Sequence, residues 1–285
     1  MTVGDVLAEG IAKLRKDRES ARHDAGVLLT SVLARPAAWL LAHGDAVLGD
    51  DDVARYRDAI SRRAAGEPVA YIIGEAGFYG RTFAVTPDVL VPRPETEGLI
   101  TLALQAFADA DRPLRLCDVG TGSGAIAITL AAERPCASVV AIDVSAAALA
   151  VAARNATAHG VSGRVTFRLE NALDELERES VFDGIVANLP YVRSADLAAA
   201  PAPTSFEPRL ALDGGPDGLD VYRKLLRLAP GYLARSGLLL LEAGPDTSDE
   251  LAILAHSAFE GICRVRVVRD YAGIRRMVEL RATPG

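Results

Sequence analysis

Two short stretches hold residue types at spacings that could do chemistry. In Asp118-Val119-Gly120-Thr121-Gly122-Ser123-Gly124, three glycines alternate with small residues where the apolar run LRLCDVG gives way to Ala125–Glu133, a helix-forming segment. Glycine lets the backbone bend tightly and pass close to a ligand, and the first turn of the following helix offers unpaired N–H groups, so a small anionic or zwitterionic ligand fits there. Asp143 ends the next apolar run, SVVAID, where a carboxylate can accept both ribose hydroxyls of an adenosine-type ligand. Taken alone the turn is ambiguous. Gly120, Gly122 and Ala125 also satisfy the looser dinucleotide spacing of a nicotinamide-dependent dehydrogenase, and a glycine turn can serve helix–strand packing only.

The second stretch is Asn188-Leu189-Pro190-Tyr191, which follows the apolar run Phe182–Ala187. Open α/β sheets bind their ligands outside the carboxyl ends of the strands, so this tetrapeptide and the glycine turn share one edge. The Asn188 side-chain oxygen and the Leu189 backbone carbonyl offer two converging acceptors, Pro190 stiffens the turn, and Tyr191 presents a flat face. Two acceptors suit an NH2 group on a planar amide or base, which is a rationale for N-methylation. An amide nitrogen is a poor nucleophile because its lone pair is delocalised, so most of the rate gain is expected from positioning, for which roughly 7–11 kcal/mol is available in favourable cases. No general base is assigned. A capped turn with a packed tyrosine is the plainer reading if the tetrapeptide stands alone.

The elements that must position these residues follow from periodicity. Beyond Leu114 strand and helix patterns alternate: LRLCDVG, Ala125–Glu133, SVVAID, Ala146–His159, VTFRLE, FDGIVAN, then a helix near Leu219–Leu233, GLLLLEA, a helix near Ser248–Phe259, and CRVRVVRD and RRMVELRA, the last two expected to be antiparallel. Such alternation predicts an α/β fold with a largely parallel sheet covered on both faces. Upstream, Val6, Leu7, Ile11 and Leu14, then Val27, Leu28, Val32 and Leu33, then Val53, Tyr56 and Ile60 recur at helical spacing and predict a small helical bundle. Gly66-Glu67-Pro68 breaks that pattern, and AYIIG and FYGRTFAV read as two β-type runs separated by a Glu-Ala-Gly turn, a hairpin linking two domains. Pro87, Pro92 and Pro94 forbid a regular helix or central strand over Thr86–Glu97. Ala195–Pro203, rich in alanine and proline, has the composition of a mobile segment.

Bulk properties exclude several classes. With 285 residues, half of them apolar, the chain can bury at least one large core. A net charge of −7 argues against a general polyanion binder, and residues 1–80, with ten Lys/Arg against twelve Asp/Glu, are no nucleic-acid arm. Cys117, Cys136 and Cys263 are odd in number and far apart, and the four histidines lack ligand spacing, so neither a disulfide framework nor a metal site is expected. The start MTVGDVLAEGIAKLRKDRES lacks a signal-peptide pattern and no apolar run spans a membrane, so a cytoplasmic location is expected.

Four segments in order, EPVAYIIGEAGFYGRTFAVTPDVLVPRPETE (67–97), DVGTGSGAIAI (118–128), the Asn188 tetrapeptide and FEPRLALDGGPDGLDVYR (206–223), resemble the peptide chain release factor glutamine methyltransferases. The resemblance implies a helical substrate-docking domain over residues 1–66, a β-hairpin linker over 67–90, and over 91–285 a seven-stranded, Rossmann-like class I methyltransferase domain of strand order 3-2-1-4-5-7-6. It implies S-adenosyl-L-methionine as cofactor. The acceptor it implies is the glutamine of the Gly-Gly-Gln motif in bacterial class I release factors, with no direct nucleic-acid, membrane or metal partner. By position, Gly120, Thr121, Gly122, Ser123, Gly124 and Asp143 would hold the cofactor, Asn171 would stand near the adenine, and Asn188, Leu189, Pro190 and Tyr191 would hold the glutamine amide, with Asn188 and Tyr191 as catalytic residues. Pro92-Arg93-Pro94-Glu95-Thr96-Glu97 is expected to line the cofactor pocket, and Glu207 and Arg209 to fix the substrate loop.

Three departures stand out. Leu189 occupies a position where the family usually has proline, which keeps the carbonyl but is expected to loosen the turn. Asn171-Ala172 replaces an aspartate and a bulkier residue, thinning the expected adenine wall, and Leu241-Glu242-Ala243-Gly244 lacks the usual isoleucine before glycine. Competing readings are a ribosomal-protein glutamine or adenine-N6 methyltransferase, an NAD-dependent oxidoreductase, for which the tetrapeptide has no use, and a non-catalytic binding module.

Overall fold

The computed structural model describes residues 1–14, 20–109, 111–174, 181–199 and 206–283. Apolar residues three and four apart put Val3–Leu14 (α1), Ala21–Leu33 (α2), Ala37–Ala42 (α3) and Asp50–Ala64 (α4) around one core of Val6, Leu14, Leu28, Leu29, Val53, Tyr56 and Ile60. Gly10 admits the Tyr56 ring: a Cβ there would stand 2.1 Å from the tyrosine oxygen, whose hydroxyl donates to the Ala25 carbonyl at 3.3 Å. Asp50, Asp51 and Asp52 open α4 and Arg62 and Arg63 close it, each matching the helix dipole. The buried Arg63 pairs with Asp24 at 2.8 Å and donates to the Glu67 carbonyl at 3.1 Å, tying α2 and α4 to the segment that follows.

That segment departs from expectation. AYIIG is no strand; Val69–Ile73 forms a short helix (α5), started after Pro68 and ended by Gly74 at φ +82, with Val69, Ile72 and Ile73 packed on the helical core. Burial against a neighbouring core overrides the β preference of a five-residue apolar run. The hairpin lies later, as Glu75–Phe78 (β1) and Arg81–Ala84 (β2), and its turn is Tyr79-Gly80 rather than Glu-Ala-Gly. Both turn residues have positive φ, +49 and +69, which suits a two-residue hairpin loop, and Glu97 accepts the Tyr79 N–H at 2.8 Å.

The chain divides into two compact units, Met1–Glu75 and a larger one over Ala76–Ala200 and Glu207–Gly285. In the larger unit Leu114–Val119 (β3), Ala137–Asp143 (β4), Val165–Leu169 (β5), Phe182–Ala187 (β6), Leu233–Glu242 (β7), Cys263–Arg269 (β8) and Arg275–Ala282 (β9) form one sheet ordered β5-β4-β3-β6-β7-β9-β8. Counted along the sheet's own strands this is 3-2-1-4-5-7-6. Strands β3 to β7 pair in parallel, and β9 pairs antiparallel with both β7 and β8.

Strand β7 shows why its run reads GLLLLE without alternation. Leu239 and Leu241 face one core with Tyr222, Leu225 and Leu251, while Leu238 and Leu240 face the other with Leu99, Ile100, Ile126 and Ile128. The first face is covered by Asp220–Tyr232 (α9) and Ser248–Ala258 (α10), the second by Glu97–Ala106 (α6), Ala125–Glu133 (α7) and Ala146–Ala158 (α8). The prolines of Thr86–Glu97 hold that stretch to a single 3-10 turn, Pro94–Thr96, before α6 begins. Of the alanine- and proline-rich stretch, residues 200–203 lie outside the described residues. Among the described residues no helix is long and apolar enough to cross a membrane, and no cluster of His, Cys, Asp and Glu has the makings of a metal site.

Candidate functional site

The glycine turn bends because its backbone sits where L-residues are strained: Gly120, Gly122 and Gly124 have φ of +76, +54 and +82. Gly120 and Thr121 both donate their N–H to the Ile142 carbonyl at 2.9 Å, folding the turn back over β4. Asp143, at the end of β4, is clamped from two sides, its Oδ2 accepting from Gly122 N at 2.8 Å and its Oδ1 from Ser145 N at 2.9 Å. Burial pushes its carboxyl up, and the N–H donors of Ser145, Gly122 and Val144 pull it back toward the ionised form. Each oxygen keeps a lone pair for a further donor.

Gly120, Thr121, Gly122, Ser123, Asp143 and Asn171 line one cavity of about 390 Å³ together with Asn188, Leu189 and Pro190. That volume lies in the range of small-molecule sites. The donors and acceptors around it could serve a nucleoside bearing an amino acid: a clamped carboxylate suits ribose hydroxyls, and the Asn171 amide lines the same cavity. Gly124 stands outside the cavity. A Cβ there would meet Ile128 Cδ1 at 2.7 Å and the Ala152 Cβ at 3.1 Å, so its glycine serves backbone conformation and α7–α8 packing. The Pro92–Thr96 loop reaches the cavity through Pro92, Arg93 and Thr96.

At the end of β6 the acceptor turn is held by three residues remote in sequence. Asn188 Nδ2 donates to Thr96 Oγ1 at 3.0 Å, leaving Oδ1 as its available acceptor. Tyr222, fully buried on α9, places its hydroxyl among the Leu189 N–H (3.1 Å), the Leu189 carbonyl (3.1 Å) and the Glu242 carbonyl. A carbonyl oxygen has two lone pairs, so Leu189 keeps one for a further donor beside the Tyr222 hydroxyl. Here Leu189 does what proline cannot, donating a backbone N–H to Tyr222. The loosening expected from the missing proline ring is thus offset by a hydrogen bond, and the Leu189 side chain, buried against Gly120, fills the space a Cβ there would take, with Cδ2 at 2.8 Å.

Tyr191 does not line the cavity. Its ring lies 3.4 Å from where a Gly244 Cβ would stand, and its hydroxyl donates to Glu242 Oε1 at 3.4 Å. Burial first, then the Glu242 charge, push its phenol up to about 12, so it stays protonated at neutral pH. The segment 212–218 wraps the same turn: Val192 N donates to the Leu212 carbonyl and Gly214 N to the Val192 carbonyl, both at 2.9 Å. A Cβ on Gly218 would come within 2.4 Å of the Tyr191 carbonyl oxygen. Of the two expected loop-fixing residues, Glu207 joins loops by accepting from Val91 N at 3.2 Å and from Arg93, whereas Arg209 pairs with Asp213 within its own loop at 3.0 Å.

Asp118, wholly buried under the turn, accepts from the Thr121 hydroxyl at 2.6 Å and Ala127 N at 3.1 Å through Oδ2, while Oδ1 has no partner among the described residues. Burial raises its carboxyl from 3.8 to about 7. The folded protein therefore binds a proton there that the unfolded chain has released, and the contribution of Asp118 to stability falls as pH rises from about 4 to about 7. Asp118→Asn removes that titration. Between pH 4 and 7 the denaturant midpoint of the unaltered protein is expected to fall relative to that of Asp118→Asn, and a constant difference between the two would show that Asp118 does not titrate in this window.

Sequence reading missed Tyr222 and Glu242 and placed Thr96 only within a loop. Glu242 left a signal: a carboxylate ending the run GLLLLE, at the same sheet edge as Asn188, cannot be buried without donors.

Comparisons with known proteins agree with this geometry. A family model described as the PrmC N-terminal domain matches residues 5–74, and one described as a methyltransferase domain matches residues 110–229. Over 284 residues the chain is 43% identical to a release factor glutamine methyltransferase of Cereibacter sphaeroides, covering 99% of each chain, and it is 42% identical to that of Moorella thermoacetica over 96% of each. Among solved structures, the T. thermophilus 16S rRNA N2 G1207 methyltransferase, in complex with AdoMet and guanosine, shares the fold, with a TM-score of 0.54 and 18% identity over 74% of this chain and 50% of that one. With more than two-fifths of its residues shared with such relatives over nearly the whole length, and with the sheet order and cavity described above, the chain belongs to the release factor glutamine methyltransferase family.

Proposed function

We propose that this protein transfers a methyl group from S-adenosyl-L-methionine to the side-chain amide nitrogen of the glutamine in the Gly-Gly-Gln motif of bacterial class I peptide chain release factors, acting in the cytoplasm. The observation that carries the reading is that Asn188, whose Nδ2 is committed to Thr96, and Leu189 line the same cavity as Gly120–Ser123 and Asp143. The clamped Asp143 carboxylate would receive the ribose hydroxyls, the turn and the start of α7 the amino-acid end, and Asn171 the adenine edge.

When bound, the cofactor supplies an electrophilic methyl on a sulfonium centre. Asn188 Oδ1 and the Leu189 carbonyl each accept one N–H of the glutamine amide, which turns the face of its nitrogen toward that methyl. Gly120–Ser123 and Asp143 would hold that cofactor, whose sulfonium would give up the methyl and keep the C–S electron pair, and the glutamine nitrogen held by the two acceptors would then release its proton to water. Both acceptors also stabilise the growing positive charge on the N–H groups, where such preorganised dipoles act most strongly.

Purified unmethylated release factor, incubated with the protein and S-adenosyl-L-methionine, is expected to gain one methyl, which mass spectrometry maps to the Gly-Gly-Gln glutamine. A release factor left unmodified, beside a methylated ribosomal protein or adenine base, would overturn the substrate assignment.

A further inference from the structure

Tyr222 lies fully buried on α9, 33 residues beyond the acceptor turn, and a single atom of it touches the backbone on both sides of the Leu189 Cα. Its hydroxyl oxygen receives the Leu189 N–H at 3.1 Å, and its proton has the Leu189 carbonyl at 3.1 Å and the Glu242 backbone carbonyl as acceptors. Strands β6 and β7 pair with Ala187 opposite Leu241, so Glu242 ends β7 beside the point where Asn188 opens the turn. We propose that Tyr222 is a positioning residue for methyl transfer: its hydroxyl pins the peptide plane between Asn188 and Leu189, and so sets the spacing of the two groups that receive the glutamine amide.

The physical basis lies in the backbone torsions. The Asn188 side chain and the Leu189 carbonyl are separated by ψ of residue 188 and by φ and ψ of residue 189. Pro190 confines the last of these, because the residue before a proline is held to extended conformations. The other two turn the intervening peptide plane like a crank, and a proline at 189 would lock φ with its ring. Leu189 has no ring. It has instead an N–H lying in that plane, and a hydrogen bond on this N–H resists the crank. The tie is anchored, since the single proton of Tyr222 goes to the end of β7 or back to the turn itself. From the other side Thr96 holds the Asn188 amide at 3.0 Å. Neither hydrogen bond involves the glycine turn or Asp143, so the spacing of the acceptors is set apart from the groups assigned to the cofactor.

This inference rests on the reading of Asn188 and Leu189 as the amide acceptors. Tyr222→Phe keeps the ring and removes the hydroxyl. For release factor methylation its kcat is expected to fall on the order of 10- to 100-fold, the cost of a misplacement of about 1 Å at a reacting centre. KM for the release factor and S-adenosylhomocysteine affinity by calorimetry should stay near those of the unaltered protein. In Leu189→Pro the N–H is gone and the ring takes over φ, so adding Tyr222→Phe to that variant should cost several-fold less than adding it to the unaltered protein; the readout is this ratio, not the rate of Leu189→Pro itself. An unchanged kcat in Tyr222→Phe, equal losses in the two backgrounds, or cofactor affinity falling in step with kcat would reduce Tyr222 to packing.

A second readout needs neither substrate nor turnover. In 15N-labelled protein with S-adenosylhomocysteine bound, the Leu189 amide proton is expected to exchange slowly with solvent and to exchange faster in Tyr222→Phe. The Val192 amide, which donates to the Leu212 carbonyl instead, should keep its rate. A fast-exchanging Leu189 amide in the unaltered protein, or Leu189 and Val192 rates that rise together in Tyr222→Phe, would overturn the inference. An unaltered protein that leaves the glutamine unmodified would instead sink the substrate assignment, while these exchange rates still decide whether the hydroxyl holds the plane.

Discussion

Replacing Asn188 with alanine is expected to abolish methyl transfer while leaving the cofactor bound. The side chain touches the cavity wall but makes its own hydrogen bond to Thr96 rather than to the glycine turn or Asp143, so its loss removes an acceptor without releasing either cofactor element. What disappears is the partner that aims an amide whose lone pair is delocalised. The remaining Leu189 carbonyl can hold one N–H, which fixes a direction but not a plane. A loss of roughly 1,000-fold or more in kcat follows, because single preorganised groups at reacting centres are worth about 100- to 1,000-fold and alignment adds to that. Rate measurements paired with S-adenosyl-L-methionine calorimetry test the split. Turnover within tenfold of the unaltered enzyme, or a cofactor affinity that falls alongside it, would take Asn188 out of the acceptor role.

Asp143→Ala should act at the other end of the cavity. Its carboxylate serves two purposes at once: lone pairs for ribose hydroxyls, and anchors for Gly122 N and Ser145 N. Alanine removes both, so the glycine turn loses the contact that holds its middle and the ribose loses a charged acceptor. Hydrogen bonds to charged groups contribute about 1.5–3 kcal/mol each, which puts the expected weakening of cofactor binding on the order of 100-fold. Asp143→Asn, which keeps one acceptor oxygen, should fall between. At saturating cofactor, Asp143→Ala should recover most of its rate, whereas Asn188→Ala should not. Calorimetry giving equal cofactor affinities for Asp143→Ala and the unaltered protein would refute this assignment.

The two variants together separate this protein from a nicotinamide enzyme built on the same turn. That alternative needs Asp143 as much as this one does, but it has no use for an asparagine whose amide is oriented by Thr96. It also gives no reason for Tyr222 to be buried against Leu189, where the hydroxyl contacts both the N–H and the carbonyl of that residue.

By itself the sequence determined the α/β alternation, the position of the glycine turn, Asp143 at the end of its strand, and the tetrapeptide at the same sheet edge. Each is a local signal. Strand and helix periods are written over a few residues, positive φ needs glycine at the spot where the chain turns, and a carboxylate or asparagine ending an apolar run marks the strand's carboxyl end. The tertiary structure decided what orients those groups. Thr96 and Asn188 stand 92 residues apart, Leu189 and Tyr222 33, and Tyr191 and Glu242 51; the pairing of β6 with β7 brings the last two together, while the turn before α6 and the helix α9 bring Thr96 and Tyr222 to the same edge. A hydrogen bond between distant residues leaves no period in the chain, so neither the Thr96 contact behind Asn188 nor the Tyr222 contact that offsets the missing proline is legible there. The same holds for Val69–Ile73, whose apolar residues read as a strand until the helical core they bury against is in place.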